Sequence, residues 1–253
     1  MKFLRFQTPK GIPQVGWLKE DRIGLIEGNL FGEYRRLETS YDLSSVRVLA
    51  PVLPSKILCM GRNFREHAQE QGVEVPEVPM LFTKPPSAVI ATDEEIVLPP
   101  QSHLVEHEAE LVAVIGRRGR WIDAEEAGRY IFGYTIGNDV TARDLQQRDG
   151  QWTRAKGFDT FAPLGPWIET DLDASDVLIT SKVNSELRQM ASTKEMVFTV
   201  AQIVAFASSV MTLEPGDLIF TGTPAGVGPL NDGDRVEVTI EGIGTLVNPV
   251  TSK

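Results

Sequence analysis

The segment VEHEAELVAVIG, residues 105–116, carries glutamates on alternate residues: Glu106, Glu108 and Glu110. In an extended strand successive side chains point to opposite faces. The three carboxylates therefore share a face with Val112 and Val114, while His107, Ala109, Leu111, Ala113 and Ile115 share the other. An acid aimed into an apolar interior is costly unless it is paired or binds a metal ion. Oxygen-only donors suit hard cations such as Mg²⁺, Mn²⁺ or Ca²⁺. The competing reading is a strand that leaves the core here, with its acids in water.

A second acidic feature lies in GYTIGNDVTARDLQ, residues 133–146, which is again strand-like. Asp139 could close a three-carboxylate site with Glu108 and Glu110, or Asn138–Asp139 could be an ordinary turn. A third feature is MGRNFREHAQEQG, residues 60–72, with His67 and Glu70. Residues i and i+3 are neighbours on a helical turn. A carboxylate beside an imidazole orients it and raises its basicity, as a general base requires. The plainer alternative is an incidental pair on a surface helix. GVEVPEVP follows, polar and proline-broken, with the composition of a mobile loop or lid.

The elements that must position these groups are mostly strands. QVGWL, RIGLIEG and LFGEYRRL make a small N-terminal β unit over residues 1–50, and APVLPSK reads as a boundary. KILCMGRN, MLFTK and ELVAVIG are short apolar runs. RVEVTIEG alternates, with Val236, Val238 and Ile240 on one face. Helices are few. WIDAEEAGRYI opens on Asp123 with Glu126 three residues on, the pattern of a capping box. FTVAQIVAFASSVMTLEPGD has the same relation between Thr199 and Gln202. It sets Val200, Ile203, Val204, Ala207 and Met211 on one face and stops at Pro215–Gly216. The expected class is α+β, mostly β, without the alternating βαβ pattern.

Bulk properties narrow the function. The 253 residues suit one large domain, or one with a small appendage. A net charge of -10 and a pI near 4.9 argue against a nucleic-acid binder. The single cysteine, Cys59, excludes an intrachain disulfide framework and fits a reducing compartment. The start MKFLRFQTPKG lacks an apolar signal region, and no apolar run approaches the roughly 18–20 residues of a membrane span. A cytoplasmic protein with no membrane partner is the expectation. TGTPAGVGPL looks like a phosphate loop but lacks the Gly-Lys-[Ser/Thr] ending and reads as a tight turn.

Seven segments, taken in order, carry a resemblance: GRNFREHAQE, PMLFTKPPSAVI, VEHEAELVAVIG, GYTIGNDVTARDLQ, KGFDTFAPLGPWI, VNSELRQ and LEPGDLIFTGTPAGVGPL. From about residue 56 to 230 the chain resembles the fumarylacetoacetate hydrolase family. The likeness is to its short bacterial-type members, in the acylpyruvate hydrolase and oxaloacetate decarboxylase branch. Residues 1–50 resemble, loosely, that family's variable N-terminal β domain, and 51–253 its catalytic domain. The resemblance implies a mixed β-roll or sandwich and a homodimer. It implies Mg²⁺ or Mn²⁺ held by Glu108, Glu110 and Asp139, with Glu106 outside the ligand set. It implies His67 and Glu70 as a catalytic dyad on a lid and Lys156 facing the substrate. Arg143, Gln146 and Thr223 would touch substrate, with Lys84 a weaker candidate.

The function implied is hydrolysis of a C–C bond in a small 1,3-diketo acid of the acylpyruvate or fumarylpyruvate type, through a metal-stabilised enolate. His67 would activate a water, and the metal and Lys156 would stabilise the enolate. Decarboxylation of an oxaloacetate-type acid runs through the same enolate. So does isomerisation of 2-hydroxyhepta-2,4-diene-1,7-dioate in aromatic-acid breakdown. From another class, a metal-binding β protein without catalysis would have no use for the His67–Glu70 pair.

Overall fold

The structure is a computed structural model that describes residues 1–252. Period-two alternation builds its clearest strand. Arg235–Ile240 turns Val236, Val238 and Ile240 inward, each 1% exposed. It sits mid-way in a five-stranded sheet with the order Glu186–Ser192, Leu178–Val183, Arg235–Ile240, Gly244–Ser252, Ile96–Leu98. The inner face of that sheet packs on Leu111 and Ile136 of a second, larger sheet.

The larger sheet runs Tyr34–Asp42, Arg22–Gly28, Pro13–Lys19, Lys2–Gln7, Ala162–Glu169, Ile131–Asn138, Ala109–Ile115, Leu218–Phe220, Ile57–Gly61, Met80–Lys84. Neighbours are antiparallel except Leu218–Phe220 and Ile57–Gly61, which are parallel. The N-terminal strands are thus not a free-standing sheet. Lys2–Gln7 continues the large sheet by pairing Phe3 with Ile168. Phe6, Leu4, Leu18 and Ile23 form a separate apolar cluster there. The architecture is α+β and mostly β, two sheets packed with few helices.

Strand Ala109–Ile115 is buried along its whole length. Val112 and Val114 pack with Leu164, Ile168 and Phe220, while Ala113 and Ile115 pack with Leu58, Ile203 and Ala207. The last two belong to the α-helix Val200–Val210, which covers that face of the sheet. Its Thr199–Gln202 capping box forms, with Thr199 N–H donating to Gln202 Oε1 at 2.9 Å and Gln202 N–H to Thr199 Oγ1 at 3.3 Å. Burying Ile203 and Val204 stabilises the packing by about 1.5–3 kcal/mol each. The helix ends at Val210, before the Pro215–Gly216 stop. Among the described residues no helix is long and apolar enough to cross a membrane.

Two expected elements differ. Ala124–Arg129 is a 3-10 helix and Asp123 makes no side-chain cap, because the Glu126 N–H donates to the Asp123 backbone carbonyl at 3.0 Å, while the Glu126 carboxylate pairs with Arg129. The strand-like reading of 133–146 ends at Asn138, and Arg143–Asp149 is an α-helix. Gly150, at φ +68°, takes the left-handed conformation that closes this helix.

Candidate active site

The acids converge because one chain segment changes sheets. Val105–His107 belongs to a small sheet with Thr141–Ala142 and Gly228–Pro229. Ala109–Ile115 belongs to the large sheet, and Glu108 sits at the switch. Across the large sheet Ala109 pairs with Asn138 and Glu110 with Gly137. Asp139 follows directly, and its N–H donates to the Glu108 carbonyl at 2.8 Å. Gly137 is bare because a Cβ there would come within 2.3 Å of the Phe220 ring and 2.6 Å of Val112 Cγ2.

Glu108, Glu110 and Asp139 therefore offer oxygens all within 4.8 Å of one another, and all three residues are buried. The solvated-strand alternative is excluded, since Glu108 is 4% exposed and Glu110 1%. At an effective dielectric near 20, two unit charges at that separation repel by about 3.5 kcal/mol. Cations answer part of this. Lys156 Nζ donates to Glu108 Oε2 at 2.8 Å and to Asp139 Oδ2 at 2.7 Å. Lys84 Nζ donates to Asp139 Oδ1 and to the Val140 carbonyl. Arg143 bridges Glu106, at 2.6 Å, and Glu108. Burial would raise the Glu108 carboxyl, but Lys156 and Arg143 overcome it and hold Glu108 well below the usual range. Burial would lower Lys156, but Asp139 and Glu108 raise it.

Glu110 has no such partner. Its one hydrogen bond comes from Gly222 N–H to Oε2, at 2.7 Å. Burial, then Asp139 and Glu108, push its carboxyl well above the ordinary value. A buried carboxylate lacking a cation, beside two more oxygen donors, is the environment a divalent ion completes, and the donor chemistry fits Mg²⁺ or Mn²⁺.

A cavity of about 340 Å³ opens beside this trio. His67, Glu108, Arg143, Gln146, Lys156 and Thr223 line it. Glu110 and Asp139 lie behind that wall. His67 is on the helix Arg65–Glu70, 6% exposed, with Nδ1 at 3.1 Å from Glu70 Oε2. Because a carboxylate accepts, Nδ1 is the donor of this bond, which leaves Nε2 uncommitted to Glu70. Glu70 is held in turn by Gly226 N–H, at 3.0 Å to Oε1. Gln146 accepts from Arg143 Nη1 at 2.6 Å. Lys84 is placed differently from a substrate contact. Its side chain is fully enclosed and serves Asp139. The stretch from Gly72 to Pro79, read as a lid, has no regular element.

The fumarylacetoacetate (FAA) hydrolase C-terminal family matches residues 56–251. The chain belongs to the fumarylacetoacetate hydrolase family. Residues 1–51 match the Rv2993c-like N-terminal family. Protein Rv2993c of Mycobacterium tuberculosis is 47% identical over 262 residues, covering 100% of this chain and 99% of that relative. A crystal structure of 5-carboxymethyl-2-hydroxymuconate delta-isomerase from Mycobacterium smegmatis superposes with a TM-score of 0.94. It is 46% identical, over 100% of both chains. The mitochondrial oxaloacetate tautomerase Fahd2a of Rattus norvegicus is 42% identical over 219 residues, 82% of this chain and 70% of that one.

Sequence reasoning missed Gln189, a buried residue of strand Glu186–Ser192 on which the site's fine structure hangs. Its Oε1 accepts from Ala109 N–H at 3.0 Å, the backbone group left over where the chain switches sheets, and from Ser181 Oγ at 3.0 Å. His107 Nδ1 lies 3.2 Å from the same oxygen. Gln189 Nε2 donates to Thr223 Oγ1 at 2.7 Å and to the Pro224 carbonyl at 2.8 Å. A lone polar residue in ELRQMAS gave no sign of this, because its partners are distant in sequence.

Proposed function

We propose that this family member is a divalent-metal-dependent enzyme that moves a proton and a double bond in a small 2-oxo acid. The carrying observation is the shared cavity. His67, with a free Nε2, faces the same roughly 340 Å³ space as Lys156 and Arg143, beside a carboxylate trio short of positive charge. His67 takes the proton from the carbon next to the 2-oxo group. Negative charge then grows on the oxo oxygen, and Lys156 and Arg143 are pre-placed cations for it. Returning the proton at another atom completes a tautomerisation or isomerisation. A divalent ion bound by Glu108, Glu110 and Asp139 would supply Lewis acidity toward the acid's oxygens. Glu70, fixed by Gly226, keeps the imidazole in the tautomer needed.

Two relatives at 46% and 42% identity bear the names delta-isomerase and oxaloacetate tautomerase, both of which denote proton relocation. They support that reaction ahead of C–C hydrolysis. Hydrolysis of a diketo acid stays as the second reading, because the oriented His67 could equally take a proton from water. The assay that separates them uses metal-stripped protein given back Mg²⁺ or Mn²⁺. It offers enol-form oxaloacetate, a 2-hydroxy-dienedioate and acetylpyruvate in parallel. Metal-dependent conversion of each of the first two to its own keto tautomer, without pyruvate release, supports the proposal. Release of pyruvate from acetylpyruvate moves the assignment to hydrolysis.

A further inference from the structure

We infer that a second cavity, between the N-terminal strands and the segment 50–54, is a binding site for a small aromatic monocarboxylate, with Arg5 taking the carboxylate. The cavity measures about 390 Å³ and lies apart from the active site. Gly216 on its wall donates its N–H to the Ile115 carbonyl at 2.7 Å, at the far end of the strand Ala109–Ile115 from Glu110. Five extended residues separate Glu110 from Ile115 by about 16 Å. Most of the lining is apolar: Leu30, Phe31, Pro51, Val52 and Leu53. Among the described residues Arg5 is the one charged side chain on that wall.

That guanidinium lacks a counter-charge. Arg5 is half-buried on the strand Lys2–Gln7, and its Nη1 donates to the Ala50 carbonyl at 2.9 Å. Among the described residues it forms no ion pair, and burial lowers its pKa with no carboxylate to offset the effect. The two acids that flank Pro215 and Gly216 have other partners: Glu214 pairs with Arg118 at 3.0 Å, and Asp217 with Lys56. A planar guanidinium takes both oxygens of a carboxylate together, so a ligand that brings one completes Arg5. The rest of the wall sets the body of that ligand. Leu53 is 74% exposed, the most exposed large apolar side chain among the described residues. Pro51 and Pro54 stiffen the segment that carries it. Phe31 is fixed edge-on to Phe132, with ring centroids 5.2 Å apart, and packs beside Gly216, where a Cβ would lie 3.4 Å from its ring. A ligand ring against Leu53 and Phe31 takes apolar surface out of water and gains an aromatic contact.

The test is an amide-resolved NMR titration of the Mg²⁺-loaded protein with 3-phenylpropionate and with its neutral counterpart, 3-phenyl-1-propanol. The acid should shift the amides of Gly28, Leu53 and Gly216. It should bind about tenfold more tightly than the alcohol, the size of one charge-assisted contact. Arg5→Met should erase that preference and leave alcohol binding within about twofold. Leu53→Ser, at an exposed position, should melt like wild type and weaken both ligands about fivefold through lost apolar contact. That variant keeps the site testable where Arg5→Met, having lost its hydrogen bond to Ala50, folds poorly. The inference is overturned by an absence of shifts, by shifts centred on the Glu108 and Gly222 amides, or by equal affinity of wild type for acid and alcohol. It is equally overturned by an Arg5→Met protein that keeps the preference, or a Leu53→Ser protein that binds both ligands as wild type does. None of these readouts depends on turnover, so failure of the proposed reaction leaves this site standing.

Discussion

The Gly226 amide donates to Glu70 Oε1 at 3.0 Å, four residues after the Gly222 amide donates to Glu110 Oε2 at 2.7 Å. One short loop therefore holds both the carboxylate that orients His67 and the acid of the trio that has no cationic partner. Gln189 fixes that loop in the middle, through Thr223 and Pro224. Gly226 has φ +96°, and a Cβ there would lie 2.1 Å from the Arg188 carbonyl. Gly226→Ala is expected to destabilise the fold by about 1–3 kcal/mol and to lower kcat about tenfold or more through lost dyad orientation. Denaturant unfolding and steady-state kinetics check the two effects separately.

Glu110 should behave oppositely with and without metal. In metal-free protein its carboxyl is opposed by burial and by Asp139 and Glu108. Glu110→Gln should therefore leave the metal-free protein as stable as wild type or more so. It should also remove the stabilisation by Mg²⁺, which for a single site at a hundred times Kd is about 2.7 kcal/mol in wild type. Thermal melts of both proteins with and without Mg²⁺ decide it. A variant stabilised by Mg²⁺ as strongly as wild type would take Glu110 out of the ligand set.

His107 gives a pH signature. Burial pushes its pKa down to about 4, against the pull of the Gln189 hydrogen bond. The folded state thus holds the proton less tightly than the unfolded chain, whose histidine titrates near 6.5. Between those values the unfolded state binds more protons, so stability falls as pH drops from about 6.5 to about 4. The loss attributable to this residue is about 3 kcal/mol over that window. Unfolding free energies of wild type and His107→Gln across it should converge toward the acid end. Parallel curves would contradict the buried, neutral imidazole.

Thr199→Ala should cost about 0.5–2 kcal/mol, since the hydroxyl half of the capping box is lost and the start of the helix Val200–Val210 is left unsatisfied. Urea unfolding of the variant measures it, and an unchanged midpoint would show that packing of Ile203 and Val204 alone carries the helix.

That helix was legible because its signals are local: a capping pair at its start and apolar residues at helical spacing. Strand Arg235–Ile240 was legible for the same reason, with period two. The helix Arg143–Asp149 was not, since Ala142 at its start offers no capping side chain and only Gly150 marks its end. Asp123 and Glu126 show the reverse failure: the right residues stand at the right spacing, yet the Glu126 N–H goes to the Asp123 backbone carbonyl and its carboxylate to Arg129. The acid trio was readable from alternation and from resemblance, but its burial follows from a sheet switch at Glu108 that no local pattern announces. Lys84 illustrates the limit. Its enclosure against Asp139 arises from the pairing of Met80–Lys84 with Ile57–Gly61 at the far edge of the large sheet, a long-range fact.

The central claim is that His67 removes a proton from the carbon beside a 2-oxo group, in a site where Glu108, Glu110 and Asp139 would hold a divalent ion that lowers the cost of the resulting charge. Deuterium exchange at that carbon, followed by proton NMR in D₂O with oxaloacetate or pyruvate, reads this step whatever the final product. Metal-loaded wild type should exchange well above buffer, metal-stripped protein should not, and His67→Gln should bind Mg²⁺ normally yet exchange about 10²–10⁴ times more slowly. Exchange at the wild-type rate in His67→Gln, or none above buffer in metal-loaded wild type, would contradict the account.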